Sequence, residues 1–380
     1  MDFAHSQRSL ELQENMWEFM REHVLPAEPV WAEYLREHGD NAYPPVMEDL
    51  KAEARRRGLW NLFLPEWSGI SNLEFAAVSE ITGWSPVIAP EAINSQAPDT
   101  GNMETFHLFG TDEQKAKYLE PLKEGRIRSA YAMTEPDVAS SDATNIQTVI
   151  RREGDEYVIN GRKWWITGIA DTRCEILIVM GKTDESAETH RQQSMVLVPR
   201  DTPGLTIERN LPLFGYQDQH GHCEIVFSDV RVPVSNLLGE EGAGFAIAQA
   251  RLGPGRIHHA MRAIGMAERA LALMVDRAKS RHAFGGAPAA PSGVPHHIAT
   301  PRTRDRPRPP AAPPGGRAAP PTPGTPPAGP SGPWRSWGPG ESPATPSAGP
   351  WPARASSRST SPTRGSRSTR RACRCSTARG

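Results

Sequence analysis

The sequence lacks long apolar runs and contains little cysteine. No stretch approaches the roughly 18 consecutive apolar residues of a membrane-spanning helix, so no span is predicted. The first residues carry acids and amides where a secretory signal has a basic start and an apolar stretch, and no leader is expected. Four cysteines among 380 residues are too few for a disulfide scaffold. Together these absences favour a cytoplasmic setting.

Large apolar side chains almost disappear from the last part of the chain. Positions 301–380 contain no Leu, Ile, Val, Met, Phe or Tyr, and lysine ends at Lys279. Such a segment cannot bury enough apolar surface to offset its chain entropy, so 286–380 is expected to be a disordered, Pro- and Arg-rich tail. Its composition is typical of GC-rich codons read out of frame, which is our leading hypothesis. The alternative is a genuine basic linker that binds acidic partners.

The two parts of the chain carry opposite charge. Residues 1–285 hold 29 Lys and Arg against 42 Asp and Glu, a net charge of −13, whereas the tail carries +12, so the total of −1 is a cancellation. An acidic body disfavours nucleic acid as a partner of the ordered region. Metal-ligand spacing is also missing from the His, Cys, Asp and Glu residues, and no metal site is expected.

Apolar residues spaced by about 3.6 predict helices in 1–126 and again in 239–285. The segment Thr111-Asp112-Glu113-Gln114 is a capping-box start, in which the Thr and Gln side chains satisfy backbone N–H groups, and Gly125 suits a stop. The later helix carries an apolar stripe over 257–275 that has at most one predicted partner helix. An N-terminal helical bundle and an incomplete C-terminal helical bundle with an exposed stripe are therefore expected.

The apolar period changes to two between residues 127 and 238, which predicts a β domain. Asn160-Gly161 between two strand-like segments is a strong hairpin signal and predicts a turn there. Strands are predicted at 176–180, 194–198, 205–208 and 223–227, and a turn at 230–233. The fold class is thus α+β: a helical bundle, a central β-barrel or sandwich domain, an incomplete second bundle and a disordered tail.

Five motifs follow one another along 130–285. They are Thr134-Glu135-Pro136 with Ser141-Asp142, Asn160-Gly161 with Trp164-Trp165-Ile166-Thr167, 230–233, 239–245, and Arg281 with Phe284-Gly285. In this order and spacing they resemble the flavin-dependent acyl-CoA dehydrogenase family, over roughly residues 5–285. Details at 137–140 and 251–259 are similar to the branch often fused to a phosphotransferase-like domain, which has no counterpart among these residues.

The resemblance implies FAD as the cofactor and α,β-dehydrogenation of an acyl-CoA thioester. A flavin needs hydrogen bonds along its polar edge and flat apolar cover, and a loop leaving a strand offers backbone N–H groups for that edge. An ordinary loop whose hydroxyls satisfy local backbone is the alternative. The cofactor-binding residues that the resemblance implies are Tyr131, Met133, Thr134, Ser140, Ser141, Trp165, Ile166, Thr167 and Arg281.

Two tryptophans end the predicted hairpin. Trp165 and Thr167 lie two apart on a strand and should share a face, whereas Trp164 should point to the opposite face and fill the core. The shared face would offer an indole to cover a flavin and a hydroxyl that, in the family, contacts its N5 atom. The alternative is that Trp165 too is core packing.

The family reaction needs a carboxylate within hydrogen-bond reach of the substrate's α proton. In some members that base precedes a helix arginine, but here Gly255 occupies the matching place. A base later in the fold and a Gln-x-x-Gly-Gly-x-Gly element are not found either, so weak or no activity is expected. The substrate-binding residues implied by the resemblance are Ser141, Gly253, Pro254, Gly255 and Arg256.

The resemblance also implies partners. Electrons would pass to an electron-transferring flavoprotein, and Arg281 would reach the FAD of a neighbouring subunit, which implies a homo-oligomer, a dimer or tetramer if the fold is complete. Two rival functions stay open. One is a flavin oxidase or monooxygenase of the same fold, and the other is a non-catalytic remnant or binding protein.

Overall fold

The α+β class is confirmed by a computed structural model that describes residues 4–215 and 220–281. Helices come first, strands follow, and one long helix ends the described part. The tail 286–380 and its expected disorder lie outside the described residues. Within those residues, no helix combines the length and the apolar character needed to cross a membrane.

Nine helices precede the strands in the described part. Ser71 and Thr111 each form a capping box, the second as predicted, and Gly125 follows α9 with a left-handed φ of +70°. The bounds are α1 Gln7–Phe19, α2 Leu25–His38, α3 Val46–Arg56, α4 Pro65–Ser68, α5 Asn72–Thr82, α6 Ile88–Ala92, α7 Asp99–Phe109, α8 Asp112–Gln114 and α9 Glu120–Lys123, with π-helical turns at Met20–Val24 and Lys115–Leu119.

The central strands form one connected sheet in the order β6-β7-β3-β2-β4-β5-β8, and β1 pairs with β4 in parallel. All four predicted strand segments are present as parts of longer strands. The bounds are β1 Arg128–Ala132, β2 Val149–Glu153, β3 Glu156–Thr167, β4 Cys174–Lys182, β5 Gln193–Pro199, β6 Leu205–Asn210, β7 His222–Pro233 and β8 Leu237–Leu238.

Alternate side chains of β4 belong to two different cores. Ile176 and Ile178 are fully buried with the N-terminal helices, whereas Leu177 and Val179 are fully buried with apolar residues of β3 and β7. Successive strand residues point to opposite faces, so one face of the sheet packs on the helices and the other encloses a core of its own. The β4 strand, with β1 paired beside it, therefore joins the two cores.

The predicted Asn160-Gly161 turn is wrong. Both residues lie inside β3, and the chain reverses at Gly154-Asp155, between β2 and β3. Asn160 pairs with Val149, and the register with β7 shifts at Gly161, so the dipeptide marks a bulge in a long strand. A Cβ at Gly161 would approach Thr148 Oγ1 to 2.4 Å, which explains the glycine by close packing.

The predicted turn at 230–233 is also wrong, because these residues belong to β7. Val230, Arg231, Val232 and Pro233 pair in order with Ile159, Val158, Tyr157 and Glu156 of β3. Pro233 is tolerated as the last residue of the strand, where it interrupts no further ladder hydrogen bond. The motif therefore forms no turn. It lengthens the antiparallel pairing of β7 with β3.

A 37-residue helix, α10 (Gly244–Ser280), follows the sheet and runs through Pro254. It packs closely on α5, where a Cβ at Gly265 would lie 1.8 Å from the Glu80 carbonyl oxygen. Its predicted apolar stripe is uncovered, with Ile257, Ile264 and Met274 exposed by 45%, 37% and 54%. The structure therefore agrees with the expectation that the second bundle is incomplete in the described part.

A buried carboxylate joins the helical bundle to the sheet. Glu91 on α6 is fully buried and receives a hydrogen bond of 2.9 Å from Arg173, while Lys51 on α3 lies 3.4 Å away. Burial alone would raise the pKa of Glu91, but Arg128, His220, Arg173 and Lys51 together lower it to about 2. The ionised group thus ties α3 and α6 to the segment before β4.

We predict that Glu91→Gln lowers the free energy of unfolding by about 3–5 kcal/mol, because it leaves buried cations without their shared anion. Urea unfolding at neutral pH measures the change. The control Glu14→Gln alters an exposed carboxylate of α1 and should be neutral within about 0.5 kcal/mol. Equal stability of the two variants would show that Glu91 does not hold the domains together.

Candidate functional site

The loop after β1 is locked to the end of β3. The Trp164 backbone N–H donates to the Thr134 carbonyl oxygen at 3.0 Å, and Thr134 Oγ1 donates to the Trp164 carbonyl oxygen at 2.6 Å. Lys163 Nζ donates to the Met133 carbonyl oxygen at 2.8 Å. The structure therefore brings the predicted loop residues Met133 and Thr134 next to the predicted tryptophan strand.

A buried ion pair supports this lock, and sequence reasoning missed it. Glu135 accepts hydrogen bonds from Lys163 Nζ at 2.8 Å, from Thr148 Oγ1 at 2.6 Å and from the Gln147 N–H at 2.7 Å. Burial lowers the pKa of Lys163 to about 8, and the Glu135 carboxylate opposes that shift. The sequence did contain a signal for this pair. Glu135 lies in the Thr134-Glu135-Pro136 motif, and Lys163 directly precedes Trp164 in the tryptophan motif.

The β3 strand bulges where the two tryptophans lie. Lys163 pairs with Ile225 and Ile166 with Cys223, so β3 has one residue more than β7, and Trp165 has a left-handed φ of +54°. The prediction that Trp164 faces away from Trp165 and fills the core is therefore wrong. Trp164 is half-buried with its ring centroid 6.1 Å from that of Trp165, because the extra residue interrupts the alternation.

Trp165 and Thr167 lie on the same edge of the sheet. The Trp165 indole is 39% exposed, and its centroid lies 6.3 Å from that of His222. Thr167 Oγ1 is 2.9 Å from His222 Nδ1. The Ile166 side chain is buried in the core of the sheet, so only its backbone faces this edge.

The remaining predicted cofactor residues differ in their surroundings. Ser140 Oγ accepts from the Glu135 N–H at 2.7 Å and donates to the Glu135 carbonyl oxygen at 3.1 Å, so its hydroxyl closes the loop. Ser141 is exposed beside it. Arg281 is exposed at the end of α10 and has no hydrogen bond or ion pair with the loop among the described residues.

A cavity of about 260 Å³ lies between α7 and α10. Its lining includes the predicted residues Gly255 and Arg256, whereas Gly253 is exposed and Pro254 half-buried on the same helix. A larger depression of about 500 Å³ is formed by residues 200–207 alone and includes none of the predicted site residues.

Two charged residues of this cavity were not predicted. Glu104 on α7 is only 5% exposed, and burial raises the pKa of its carboxyl to about 7, although Arg251 opposes the shift. Arg251 lies 4.0 Å above the Tyr131 ring, and burial raises the pKa of Tyr131 to about 12. Tyr131 therefore stacks on Arg251, which lines the cavity. It lies at the end of β1, just before the loop.

The chain belongs to the acyl-CoA dehydrogenase family. Models of the family's N-terminal, middle and C-terminal domains match residues 6–126, 130–230 and 242–304. The probable acyl-CoA dehydrogenase FadE2 of Mycobacterium tuberculosis is 62% identical over 77% of this chain and 72% of its own length. Acyl-CoA dehydrogenase family member 11 of Gallus gallus is 54% identical, and the chain spans 37% of its length.

Solved structures show the same architecture. A family member from Mycobacterium abscessus is 47% identical, with a TM-score of 0.74 over 78% of this chain and 76% of its own. Butyryl-CoA dehydrogenase of Megasphaera elsdenii is 28% identical, with a TM-score of 0.62 over 79% and 76%. PigA, whose structure contains FAD, is 26% identical, with a TM-score of 0.63 over 78% and 75%. The expected flavin thus has a precedent in this fold.

We predict that Lys163→Met lowers the free energy of unfolding by about 3 kcal/mol, because the Glu135 carboxylate would stay buried without its cation. The double variant Lys163→Met/Glu135→Gln should cost less than the sum of the two single variants, since no unpaired charge remains. Urea unfolding of the four proteins measures this coupling. Strictly additive costs would contradict the role of the pair.

Proposed function

We propose that this chain binds FAD against the edge formed by Thr134, Trp165 and Thr167 and an acyl-CoA thioester in the α7–α10 cavity. The observation that carries the proposal is the bulge in β3. It leaves the Trp165 indole 39% exposed, on the same edge of the sheet as the Thr167 hydroxyl. Bound FAD supplies the hydride acceptor for α,β-dehydrogenation. Ser140 shapes the loop, and the backbone of Ile166 with exposed Ser141 completes the binding edge.

The hydroxyls have defined donor and acceptor capacity. Thr134 Oγ1 already donates to the Trp164 carbonyl, so it is left to accept a hydrogen bond from the ligand. Thr167 Oγ1 meets His222 Nδ1, and it is free to donate only when that nitrogen carries the proton. The His222 tautomer therefore decides whether Thr167 offers a proton to the ring edge.

The position that carries the catalytic base in some family members is a glycine here. Gly255 lines the cavity without a side chain, and a Cβ there would meet only His259 Cδ2 at 3.9 Å. We propose that turnover is therefore weak, as a positioned base contributes roughly 10²–10⁴ in rate. The same observation favours a second candidate, a binding remnant that holds FAD and acyl-CoA without chemistry.

Further expectations remain part of the proposal. Transfer of electrons to an electron-transferring flavoprotein and a homo-oligomer completed by Arg281 rest on the family alone, whereas the cytoplasmic location rests on the sequence composition. The domain bounds 1–126, 127–238 and 239–285 rest on the apolar periodicity, and the out-of-frame reading of 286–380 rests on composition. The C-terminal family match extends to residue 304. Oxygen consumption with acyl-CoA would instead indicate a flavin oxidase or monooxygenase.

We predict that Trp165→Ala weakens FAD binding roughly three- to tenfold, because an aromatic contact of ~0.5–1.5 kcal/mol is lost. Fluorescence titration of the purified chain with FAD measures the dissociation constant. Thr206→Ala, at an exposed threonine of β6, is the control and should bind FAD as the wild type does. Unchanged affinity in Trp165→Ala would place the flavin elsewhere.

We predict that Gly255→Glu increases reduction of bound flavin by acyl-CoA by a factor of roughly 10², because it places a carboxylate at the position that carries the base in some family members. Anaerobic stopped-flow absorbance measures the bleaching rate. Gly255→Gln has the same length without the base and Gly253→Glu places the carboxylate on the exposed part of the helix, so both should stay at the wild-type rate. Equal rates in all four proteins would contradict the missing-base account.

A further inference from the structure

The two threonines of the proposed flavin edge differ in the freedom of their hydroxyls. Thr134 Oγ1 donates to the Trp164 carbonyl oxygen, and because a carbonyl oxygen can only accept, the direction of that hydrogen bond is fixed. Thr167 Oγ1 instead lies 2.9 Å from His222 Nδ1, an atom that accepts in one tautomer and donates in the other. Of these two hydrogen bonds, only the second can reverse its direction.

Strand pairing holds the His222 ring opposite Thr167. The two residues are cross-strand partners of β3 and β7, directly after the bulge that carries Trp165. The His222 backbone N–H donates to Asn210 Oδ1 at 2.8 Å, and its carbonyl oxygen accepts from the Leu211 N–H at 2.9 Å. The ring is half-buried, with its centroid 6.3 Å from that of Trp165. The imidazole therefore belongs to the same edge as the exposed indole and the hydroxyl.

A flavin makes opposite demands on such an edge in its two oxidation states. The ring nitrogen N5 accepts hydrogen bonds in oxidised FAD and carries an N–H in reduced FAD. A hydroxyl beside N5 must therefore donate to the first form and accept from the second. In the second case the proton of the hydroxyl needs another acceptor, because a buried donor without a partner costs free energy. His222 Nδ1 is placed to be that acceptor.

Resting on the function proposed above, we propose that His222 is a positioning residue that acts through Thr167 and reverses the direction of their hydrogen bond when bound FAD is reduced. With oxidised FAD, Nδ1–H donates to Thr167 Oγ1, and the Thr167 proton points to the flavin. With reduced FAD, Thr167 accepts from the flavin N–H and donates to Nδ1, which has lost its proton. The imidazole regains a proton at Nε2 by exchange with water, so its net charge is unchanged and no electron passes through it.

Titrations of the full chain with oxidised FAD and, without oxygen, with dithionite-reduced FAD test this, with tryptophan emission as the signal. His222→Phe keeps an aromatic ring beside Trp165 but removes both nitrogens. It should weaken binding of reduced FAD about tenfold more than binding of oxidised FAD, because only in the reduced complex does the Thr167 proton lose its acceptor. His38→Phe, at the exposed end of α2, is the control and should leave the ratio of the two dissociation constants unchanged.

Two further measurements distinguish this role from a merely structural one. In the Thr167→Val background, His222→Phe should leave the ratio of the two dissociation constants unchanged, because the hydroxyl through which His222 acts is missing. Nitrogen NMR of the histidine-labelled wild type needs no variant. It should show a proton on His222 Nδ1 in the complex with oxidised FAD and none in the complex with reduced FAD.

The outcomes separate this inference from the proposed function. Equal weakening of both forms of FAD by His222→Phe, the same change of the ratio in the Thr167→Val background, or an Nδ1 that is protonated alike in both complexes overturns the inference and leaves FAD binding intact. Failure of the wild type to bind either form of FAD overturns the proposed flavin site together with the inference.

Discussion

The reciprocal pairing of Thr134 with Trp164 is the interaction on which the candidate site depends. Two hydrogen bonds join the loop after β1 to the bulged strand β3. The buried Glu135–Lys163 ion pair links the same two segments. A buried ion pair gains little net stability over apolar packing, but breaking one half is costly, so it enforces a single arrangement. The exposed indole of Trp165 is a consequence of that arrangement.

The same logic extends to the contact between the helices and the sheet. The Glu91 cluster, with its shared cations, holds α6 against the segment that leads into β4, and β4 carries β1 beside it. Through β1 the cluster sets the position of Tyr131 and hence of Arg251 on α10. The loop and the cavity are therefore both positioned by the contacts between the helices and the sheet.

Sequence reasoning succeeded where the signal was local. The capping box at Thr111, the left-handed stop at Gly125 and the apolar segment of β4 depend on neighbours along the chain. It failed at Asn160-Gly161 and at Trp164, where pairing with β7 decides the conformation and local turn propensity is overridden. Glu104 was missed because its burial and its cavity arise from a helix about 150 positions later in the sequence, which no periodicity reveals.

The central claim is that Trp165 forms the wall on which a flavin lies. Its most direct test is the tryptophan fluorescence and visible spectrum of the purified chain after incubation with FAD and removal of free cofactor. The account predicts a retained yellow chromophore and quenched emission, with much of the quenching absent in Trp165→Phe. A colourless protein with unchanged emission would contradict it.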